Sequence, residues 1–275
     1  MQQIHFISGT PRSGSTLLSA LLRQNPLFHA SMTSPVLAMT NGLYTALGAH
    51  QEWAPLVSNE QRADVMRAAI IAYYQRTGAG KVVFDTNRGW SARLPLIAAL
   101  FPNARIIACV REFAWVIDSF ERLYTHNPLI MSKLFNLDNG MTVYARADTL
   151  ANPFGVAGFA WHGMREALYG EHASRMILID YEALAREPKR TMDYLYQALG
   201  VAIFQHDFEN VEFDAADEFD AQFGLPGMHR VRRRVEFTQR KTILPPDVFS
   251  RYAGHDFWKE PGFMQLGVPA CVWTR

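Results

Sequence analysis

The sequence predicts a three-layer α/β fold built around a central, mostly parallel sheet. Short and continuous apolar runs alternate along the chain with longer stretches in which apolar residues recur at helical spacing. A glycine-bearing loop directly follows the first apolar run and opens the first helical stretch. Continuous apolar runs are typical of strands buried on both faces, and strands separated by helices are typical of parallel sheets.

The first predicted strand begins at Ile4 and runs into a loop at residues 8–14. After this loop, leucines between Leu17 and Leu22 recur at helical spacing, and Asn25 with Pro26 ends the pattern. The beginning of the chain is therefore predicted to fold as strand, loop and helix.

A second helix is predicted to begin at residues 58–61 (SNEQ), which form a capping-box pattern. Val65, Met66, Ile70 and Tyr73 fall on its predicted buried stripe, and the helix is expected to end near Gly78.

Later elements bring the number of predicted strands to four. They are a strand at 82–84, a helix at 94–101, a strand at 105–110, a helix at 159–168, a strand at 176–179, and a helix from Pro188 to a glycine cap at Gly200. Residues 124–152 and 207–224 show weak periodicity and are predicted to be insertions, partly mobile, that shape a binding site. Ligands bind at the carboxyl ends of such strands.

Length and composition indicate one domain over residues 1–275. A chain of 275 residues with 49% hydrophobic residues can bury a full core, and a net charge of +1 argues against nucleic acid or a membrane as main partner. Cys109 and Cys271 are too few for a disulfide framework. With no secretory signal and no apolar run of about twenty residues, the protein is expected to be soluble and cytoplasmic.

Residues 9–16 (GTPRSGST) have the eight-residue frame of a nucleotide P-loop, placed between a strand and a helix. In such a loop, backbone N–H groups and the helix dipole surround an anion. Ser15 stands where loops that hydrolyse triphosphates carry a lysine, while Arg12 offers a planar guanidinium to a shorter anion. A ligand-free turn remains the alternative for this motif alone.

A second candidate anion site follows the strand that ends at Val110. Arg111 lies at its carboxyl end, and Ser119 follows eight positions later, a little over two helical turns away. Both side chains can therefore contact one tetrahedral anion. On its own, such a pair is more often a solvated helix face.

Taken together, residues 11–16 and the Arg111–Ser119 pair resemble the 5'-phosphosulfate and 3'-phosphate motifs of the sulfotransferases that use 3'-phosphoadenosine 5'-phosphosulfate (PAPS). Residues 101–104 (FPNA) and 180–184 (DYEAL) extend the resemblance to about positions 4–200. The resemblance thus implies a core at 4–200 and a C-terminal extension at 201–275 that covers the cofactor and acceptor site. The loop beginning PRSG looks like that of the bacterial and tyrosylprotein branch.

The resemblance implies a sulfotransferase-type P-loop fold and sulfuryl transfer from PAPS to a hydroxyl or phenol, with release of the 3',5'-bisphosphate and no metal. The acceptor is left open between a peptide tyrosine and a small phenol or alcohol, as is a homodimer. By the same resemblance, the residues expected to hold the donor are Arg12, Ser13, Gly14, Ser15, Thr16, Arg111, Ser119 and Tyr181.

A basic segment lies downstream of the resemblance. Residues 228–237 alternate well enough for a strand or extended segment, with Arg230, Arg232 and Arg234 on one face. This face is either a solvated basic edge or a flap that adds charge over the bisphosphate, and Arg232 is taken as a further donor-binding residue.

The catalytic base is harder to assign, because residues 29–35 (HASMTSP) lack the glutamate that the tyrosylprotein branch carries there. Asp85, at the carboxyl end of a central strand, is the first candidate for base or orienter, although an aspartate there is as often an N-cap. His29 is the second candidate. Arg88 stands near the position of a family lysine, and Arg12 is expected to support the departing phosphate.

Two alternative functions stay open at this stage. A P-loop small-molecule kinase shares the loop and the sheet, but Ser15 in place of lysine counts against it. A catalytically silent protein that binds PAPS or the bisphosphate would keep the donor site and lack the base.

Overall fold

A six-stranded sheet forms the centre of the computed structural model, which describes residues 3–213 and 217–273. The strands are β1 (Ile4–Gly9), β2 (Phe28–Ala30), β3 (Val82–Thr86), β4 (Ile106–Val110), β5 (Met176–Asp180) and β6 (Ala270–Cys271). Their order is β2-β3-β1-β4-β5-β6, and neighbouring strands in this sheet are parallel. The predicted α/β class with a mostly parallel sheet is confirmed.

Helices connect the strands and surround them. They are α1 (Ser15–Arg23), α2 (Val36–Ala46), α3 (Asn59–Tyr74), α4 (Leu94–Leu100), α5 (Phe113–His126), α6 (Leu137–Gly140), α7 (Val143–Ala151), α8 (Val156–Tyr169), α9 (Tyr181–Arg186), α10 (Pro188–Leu199), α11 (Asp217–Gln222), α12 (Pro246–Tyr252) and α13 (Pro261–Met264). Within the described ranges, none of them is long and apolar enough to cross a membrane.

The strands bury side chains on both faces, as their continuous apolar runs predict. In β1, Phe6 contributes to a core formed with α3, α4 and α8, whereas Ile7 contributes to a second core formed with α1 and α10. A third apolar cluster joins α5, α7 and α12. Helices therefore cover both faces of the sheet, which gives the predicted three layers.

Two strands escaped prediction because they are short. β2 has three residues and β6 has two, which is too few to show a strand period. β6 pairs with β5 through Leu178 and Ala270, so the C-terminal extension contributes a strand to the sheet.

Helix α3 begins as predicted, but its buried stripe differs. Ser58 Oγ accepts a hydrogen bond from the Gln61 backbone N–H at 3.2 Å, and Gln61 Oε1 accepts one from the Ser58 N–H at 2.8 Å. The buried side chains are Met66, Ile70 and Tyr74, and the helix ends at Tyr74. The predicted stripe was wrong at its edges, since Val65 and Tyr73 are 45% and 41% exposed.

The segment predicted as an insertion at 124–152 holds the end of α5 together with α6 and α7. It is anchored by Arg146, whose guanidinium donates to both oxygens of Glu121 at 2.5 and 2.8 Å and lies 3.9 Å from the centre of the Tyr124 ring. The other predicted insertion, 207–224, contains α11, and its residues 214–216 lie outside the described residues.

Candidate functional site

The loop between β1 and α1 lies directly against β4. Gly9 has a φ of 108°, and a Cβ at this position would lie 2.0 Å from the Cys109 carbonyl oxygen. The Thr10 N–H donates to that same oxygen at 3.0 Å. Gly14, with a φ of 89°, is the N-cap of α1. Glycine at both ends therefore lets the loop close tightly over the end of the sheet.

Arg12 lies in the middle of this loop in the left-handed region, with a φ of 61°. It is the one non-glycine residue of the described chain with positive φ, a conformation that costs free energy and persists only where the surroundings enforce it. Its Nε donates to Ser119 Oγ at 3.1 Å, and its carbonyl oxygen accepts from Arg111 Nη1 at 3.2 Å. These two bonds bring the predicted anion motifs into one cluster.

Tyr181 completes the cluster from the start of α9. Its ring lies beneath the Arg111 guanidinium, whose central carbon is 4.4 Å from the ring centre. The Tyr181 ring also packs against Gly14, where a Cβ would meet it at 3.1 Å. Tyr181 thus positions Arg111 beside the N-terminus of α1.

Arg240 is a third arginine of this cluster, and sequence reasoning did not identify it. Asp118, fully buried in α5, holds it through an ion pair of 3.0 Å between Arg240 Nη2 and Asp118 Oδ2. Asp118 also accepts from Thr242 Oγ1 and the Ile243 N–H, each at 2.9 Å. Arg240 Nε has no hydrogen-bond partner within the described residues.

The three guanidinium groups repel one another and are partly shielded from solvent. Burial, followed by repulsion from Arg111 and Arg240, lowers the pKa of Arg12 to about 10. Burial and the nearby Arg240 likewise lower the pKa of Arg111 to about 10. Each group remains charged near neutral pH, so the cluster carries excess positive charge that an anion would offset.

A cleft of about 470 Å³ opens over this cluster at the carboxyl ends of the strands. Most of the predicted site residues line it, namely Arg12, Gly14, Ser15, Thr16, Arg88, Arg111, Ser119, Tyr181 and Arg232. Ser13 is buried behind the loop, where its Oγ lies 2.5 Å from Thr10 Oγ1.

Asp85, the first candidate base, does not line the cleft and is not an N-cap. Its carboxylate is fully buried and accepts hydrogen bonds from Ser34 Oγ at 2.5 Å, from Trp90 Nε1 at 2.6 Å and from the Tyr74 hydroxyl. Burial raises the pKa of Asp85, and these three donors oppose that rise. The contacts fit a structural role that ties α2 and α3 to β3.

His29, the second candidate, lies on edge strand β2 and also does not line the cleft. It is half-buried, with its ring centre 5.5 Å from that of Tyr74. Burial, with smaller effects from Lys81 and Arg23, lowers its pKa. The structure therefore places neither Asp85 nor His29 beside Arg12.

A different histidine lines the cleft. Nδ1 of His229 lies 2.5 Å from Oδ1 of Asp220, and the His229 backbone N–H donates to Asp220 Oδ2 at 2.8 Å. Asp220 is fully buried, and its charge raises the pKa of Arg12, although less than burial lowers it. His229 and Arg12 line the same cleft. The two residues of the Asp220–His229 pair are nine apart in a stretch without clear periodicity, so the sequence carries no local signal for the pair.

The basic segment contains no strand, contrary to one of its two predicted forms. Residues 230–240 follow an irregular path, and Arg230, Arg232 and Arg234 all line the cleft. Arg234 Nε pairs with Glu209 at 2.9 Å, and Arg232 Nη1 donates to Thr238 Oγ1 at 2.9 Å. The segment thus borders the cleft as a flap would.

Among the described residues, no group of three or more His, Cys, Asp or Glu side chains is arranged to hold a metal ion. Cys109 is buried in β4, and burial raises its pKa to about 12. It is a core residue rather than a reactive thiol.

Comparisons with known proteins agree with this fold. The sequence matches the profile described as the sulfotransferase family over residues 5–206. Among solved structures, the sulfotransferase domain of the Synechococcus PCC 7002 olefin synthase is 21% identical, with a TM-score of 0.51 over 97% of this chain and 94% of that chain.

Two further structures are similar at lower identity. The sulfotransferase domain from the curacin biosynthetic pathway is 16% identical, with a TM-score of 0.52 over 97% of this chain and 96% of that one. A sulfotransferase from Alicyclobacillus acidocaldarius is 13% identical, with a TM-score of 0.52 over 81% and 89% of the two chains. The search of curated proteins gave no match.

Proposed function

We propose that this chain, which belongs to the sulfotransferase family, transfers the sulfuryl group of PAPS to a hydroxyl or phenol of an acceptor. Hydrogen bonds that join the two predicted anion-binding motifs support this proposal most strongly. Arg12, in the loop that would face the 5'-phosphosulfate, bonds to Ser119 and Arg111, which would face the 3'-phosphate. A ligand with two separate anionic groups suits such a paired cluster better than a monophosphate does.

The residues of the cleft fit the donor. The loop N–H groups and the hydroxyls of Ser15 and Thr16 are placed at the N-terminus of α1, where an anion is favoured. Arg111 offers a planar guanidinium to the 3'-phosphate. The Nε of Arg240, which has no hydrogen-bond partner among the residues that the structure describes, lies in the same cluster. When bound, the donor supplies an activated sulfuryl group that moves from a phosphate oxygen to the acceptor oxygen.

His229, which lines the cleft, is our candidate for the base that takes the acceptor's proton. Because Asp220 occupies Nδ1, the other ring nitrogen, Nε2, is left to accept that proton. Buried Asp220 holds the ring in one orientation and stabilises the imidazolium that forms. Asp85, which lies outside the cleft, is not needed for this role.

Arg12 and Arg88 supply positive charge on the transfer path. Both line the cleft, and within the described part of the chain the Arg88 guanidinium has no acidic partner. Fixed cations and N–H groups that face developing negative charge stabilise the transition state without reorganising.

Calorimetric titration with the 3',5'-bisphosphate in magnesium-free buffer tests the donor site. We expect tight binding that AMP does not reproduce and that Arg111→Ala weakens by about 100-fold, since hydrogen bonds to charged groups contribute about 1.5–3 kcal/mol each. Arg190→Ala is the matched control, because Arg190 is exposed and pairs with Glu187 away from the cleft.

Absence of bisphosphate binding would refute the donor assignment. Binding of ATP with magnesium in its place would indicate a kinase. Bisphosphate binding with no turnover of PAPS on any hydroxyl would indicate a binding protein without sulfotransferase activity.

A further inference from the structure

The carboxylate of Asp118 in α5 is fully buried, and its two oxygens have different partners. Oδ1 accepts hydrogen bonds from Thr242 Oγ1 and from the Ile243 N–H, each at 2.9 Å. Oδ2 accepts one from Arg122 Nε at 2.8 Å and forms the ion pair with Arg240 Nη2 at 3.0 Å. One oxygen therefore anchors the C-terminal segment, and the other contacts two arginines.

The guanidinium of Arg240 has one edge without a hydrogen-bond partner. Nε and Nη2 form this edge; both are shielded from solvent, and neither has a hydrogen-bond partner among the described residues. Asp118 contacts Nη2 as an opposite charge, without the geometry of a hydrogen bond. A guanidinium edge of this kind binds a phosphate through two parallel N–H groups. The edge is therefore available to an anion in the cleft, which Arg240 lines.

Two contacts hold Arg240 against α5, the helix that carries Ser119. Asp118 immediately precedes Ser119, which is one of the two residues proposed to contact the 3'-phosphate. Burial lowers the pKa of Arg240, and the charge of Asp118 is the main effect that opposes this change. The central carbon of the guanidinium also lies 5.8 Å from the ring centre of Trp115. Arg240 is therefore held on the 3'-phosphate side of the proposed donor site.

We propose that Asp118 is a positioning residue that holds the Nε–Nη2 edge of Arg240 toward the 3'-phosphate and thereby sets the preference of the donor site for a 3',5'-bisphosphate over AMP. This inference rests on the proposed sulfotransferase function. Asp118 itself does not line the cleft, so it acts on the donor through Arg240 rather than by contact.

The sign of the effect distinguishes positioning from charge. A carboxylate near an anion site repels the anion, so loss of the Asp118 charge should strengthen bisphosphate binding if the side chain acts only through its electric field. Loss of the same charge should weaken binding if the side chain acts by orienting Arg240. The two roles therefore predict opposite changes in affinity.

Asp118→Asn removes the charge and keeps the shape of the side chain. With its oxygen toward Thr242 and Ile243, the asparagine keeps the anchor of the C-terminal segment and turns an amide nitrogen toward the arginines. We expect the affinity for the 3',5'-bisphosphate to fall by about tenfold, as for loss of one hydrogen bond to a charged group, and the affinity for AMP to stay within about twofold of the wild type. Calorimetric titration with both nucleotides measures the ratio of the two affinities. Urea denaturation in parallel reports stability, because a general loss of stability would lower both affinities together.

Arg122→Lys is the matched control. It disturbs the bonds that Arg122 makes to Oδ2 of Asp118 and to the Lys241 carbonyl oxygen, while it keeps the charge and leaves Arg240 in place. The ratio of the bisphosphate and AMP affinities should stay that of the wild type.

A double-mutant cycle tests whether Asp118 acts through Arg240. Arg240→Ala alone should lower the bisphosphate affinity by about 10- to 100-fold. If Asp118 acts by orienting this guanidinium, adding Asp118→Asn to Arg240→Ala should cause no further loss.

Arg240→Lys provides a test that does not depend on how well Asp118→Asn folds. The Arg240 side chain is 32% exposed, so the fold should tolerate lysine, which keeps the charge but lacks the planar edge. We expect the bisphosphate affinity of this variant to fall by about tenfold, with little change for AMP.

Unchanged or tighter bisphosphate binding by Asp118→Asn would overturn the inference, as would losses that multiply in the double variant. Wild-type bisphosphate affinity in Arg240→Lys would overturn it as well. The titration of the wild type separates these results from failure of the donor site. If the wild type does not bind the bisphosphate, the proposed function fails; if it binds and Asp118→Asn keeps the wild-type ratio, only the role of Asp118 is wrong.

Discussion

Arg12 Nε donates a hydrogen bond to Ser119 Oγ at 3.1 Å, across 107 positions of the chain. The bond is possible because β1 and β4 are neighbours, so the loop after β1 and the helix after β4 meet at one edge of the sheet. Ser119 itself is 5% exposed. The two predicted anion-binding motifs are therefore joined directly, and a substitution in one motif should weaken anion binding by the other.

Ser119→Ala should lower the affinity for the 3',5'-bisphosphate by about tenfold. The change removes one hydroxyl that faces Arg12 and the proposed 3'-phosphate, and a hydrogen bond to a charged group contributes about 1.5 kcal/mol or more. Calorimetric titration measures the effect. Ser174→Ala, at an exposed site before β5, is the matched control and should bind as the wild type does; equal binding by both variants would contradict the role of Ser119.

His229→Asn and Asp85→Asn should separate catalysis from stability. His229→Asn removes the proposed base and should lower kcat by about 100- to 10,000-fold with unchanged bisphosphate affinity. Asp85→Asn leaves the cleft intact but places an amide nitrogen among three donors, and it should lower the free energy of unfolding by about 1–3 kcal/mol.

Steady-state kinetics and urea denaturation on both variants provide the readouts. Asp220→Asn is the companion variant, since it keeps His229 but weakens the hold on its Nδ1, and it should also lower kcat. A large loss of kcat in Asp85→Asn, with His229→Asn fully active, would restore Asp85 as the base.

The sequence was sufficient to predict four of the six strands and the glycine-bearing loop after β1, because these depend on local patterns. The strands β1 and β4 are indicated by their continuous apolar runs. The loop is indicated by Gly9 and Gly14, whose positive φ is a local backbone requirement. Arg240 and His229 could not be found in this way. Arg240 is held by the buried Asp118 and His229 by the buried Asp220. Both contacts depend on the path of the C-terminal segment, which local sequence patterns do not indicate.

The same reasoning explains why the position of Asp85 could not be predicted. An aspartate at the carboxyl end of a central strand can face the site or the core, and one residue of register decides which. Asp85 pairs with Phe6 in the register of β1 and β3 and is bonded to Tyr74 of α3. No feature of the sequence around residue 85 indicates that Tyr74, eleven positions earlier, lies on the core side of β3 and donates a hydrogen bond to this carboxylate.

Gly9→Ala should destabilise the protein severely, while Gly42→Ala should stabilise it. The Cβ at position 9 would lie 2.0 Å from a backbone oxygen that cannot move, at a φ of 108°, so a cost of about 3 kcal/mol or more is expected. Gly42 lies inside α2 with nothing within 4 Å of its Cβ position, and alanine there should add about 0.5–1 kcal/mol. Urea denaturation compares the two; similar stabilities would contradict the close approach of β1 and β4.

Stability should fall between pH 8 and pH 5 because of His5. This histidine is buried in β1; its Nδ1 accepts the Arg105 N–H at 3.0 Å, and its Nε2 lies 3.1 Å from Gln3 Nε2. Burial, aided by the charge of Arg105, lowers its pKa from 6.5 to about 4. Below pH 6.5 His5 is protonated in the unfolded chain but stays neutral in the folded chain until the pH approaches 4. The free energy of unfolding therefore decreases as the pH falls toward 4, by about 2 kcal/mol at pH 5.

Urea denaturation at pH 8 and pH 5 measures this decrease. His5→Asn keeps an acceptor for Arg105 but cannot take up the proton, so it should reduce the difference in the free energy of unfolding between the two pH values by that amount. If the variant shows the full wild-type difference, His5 is not the group responsible.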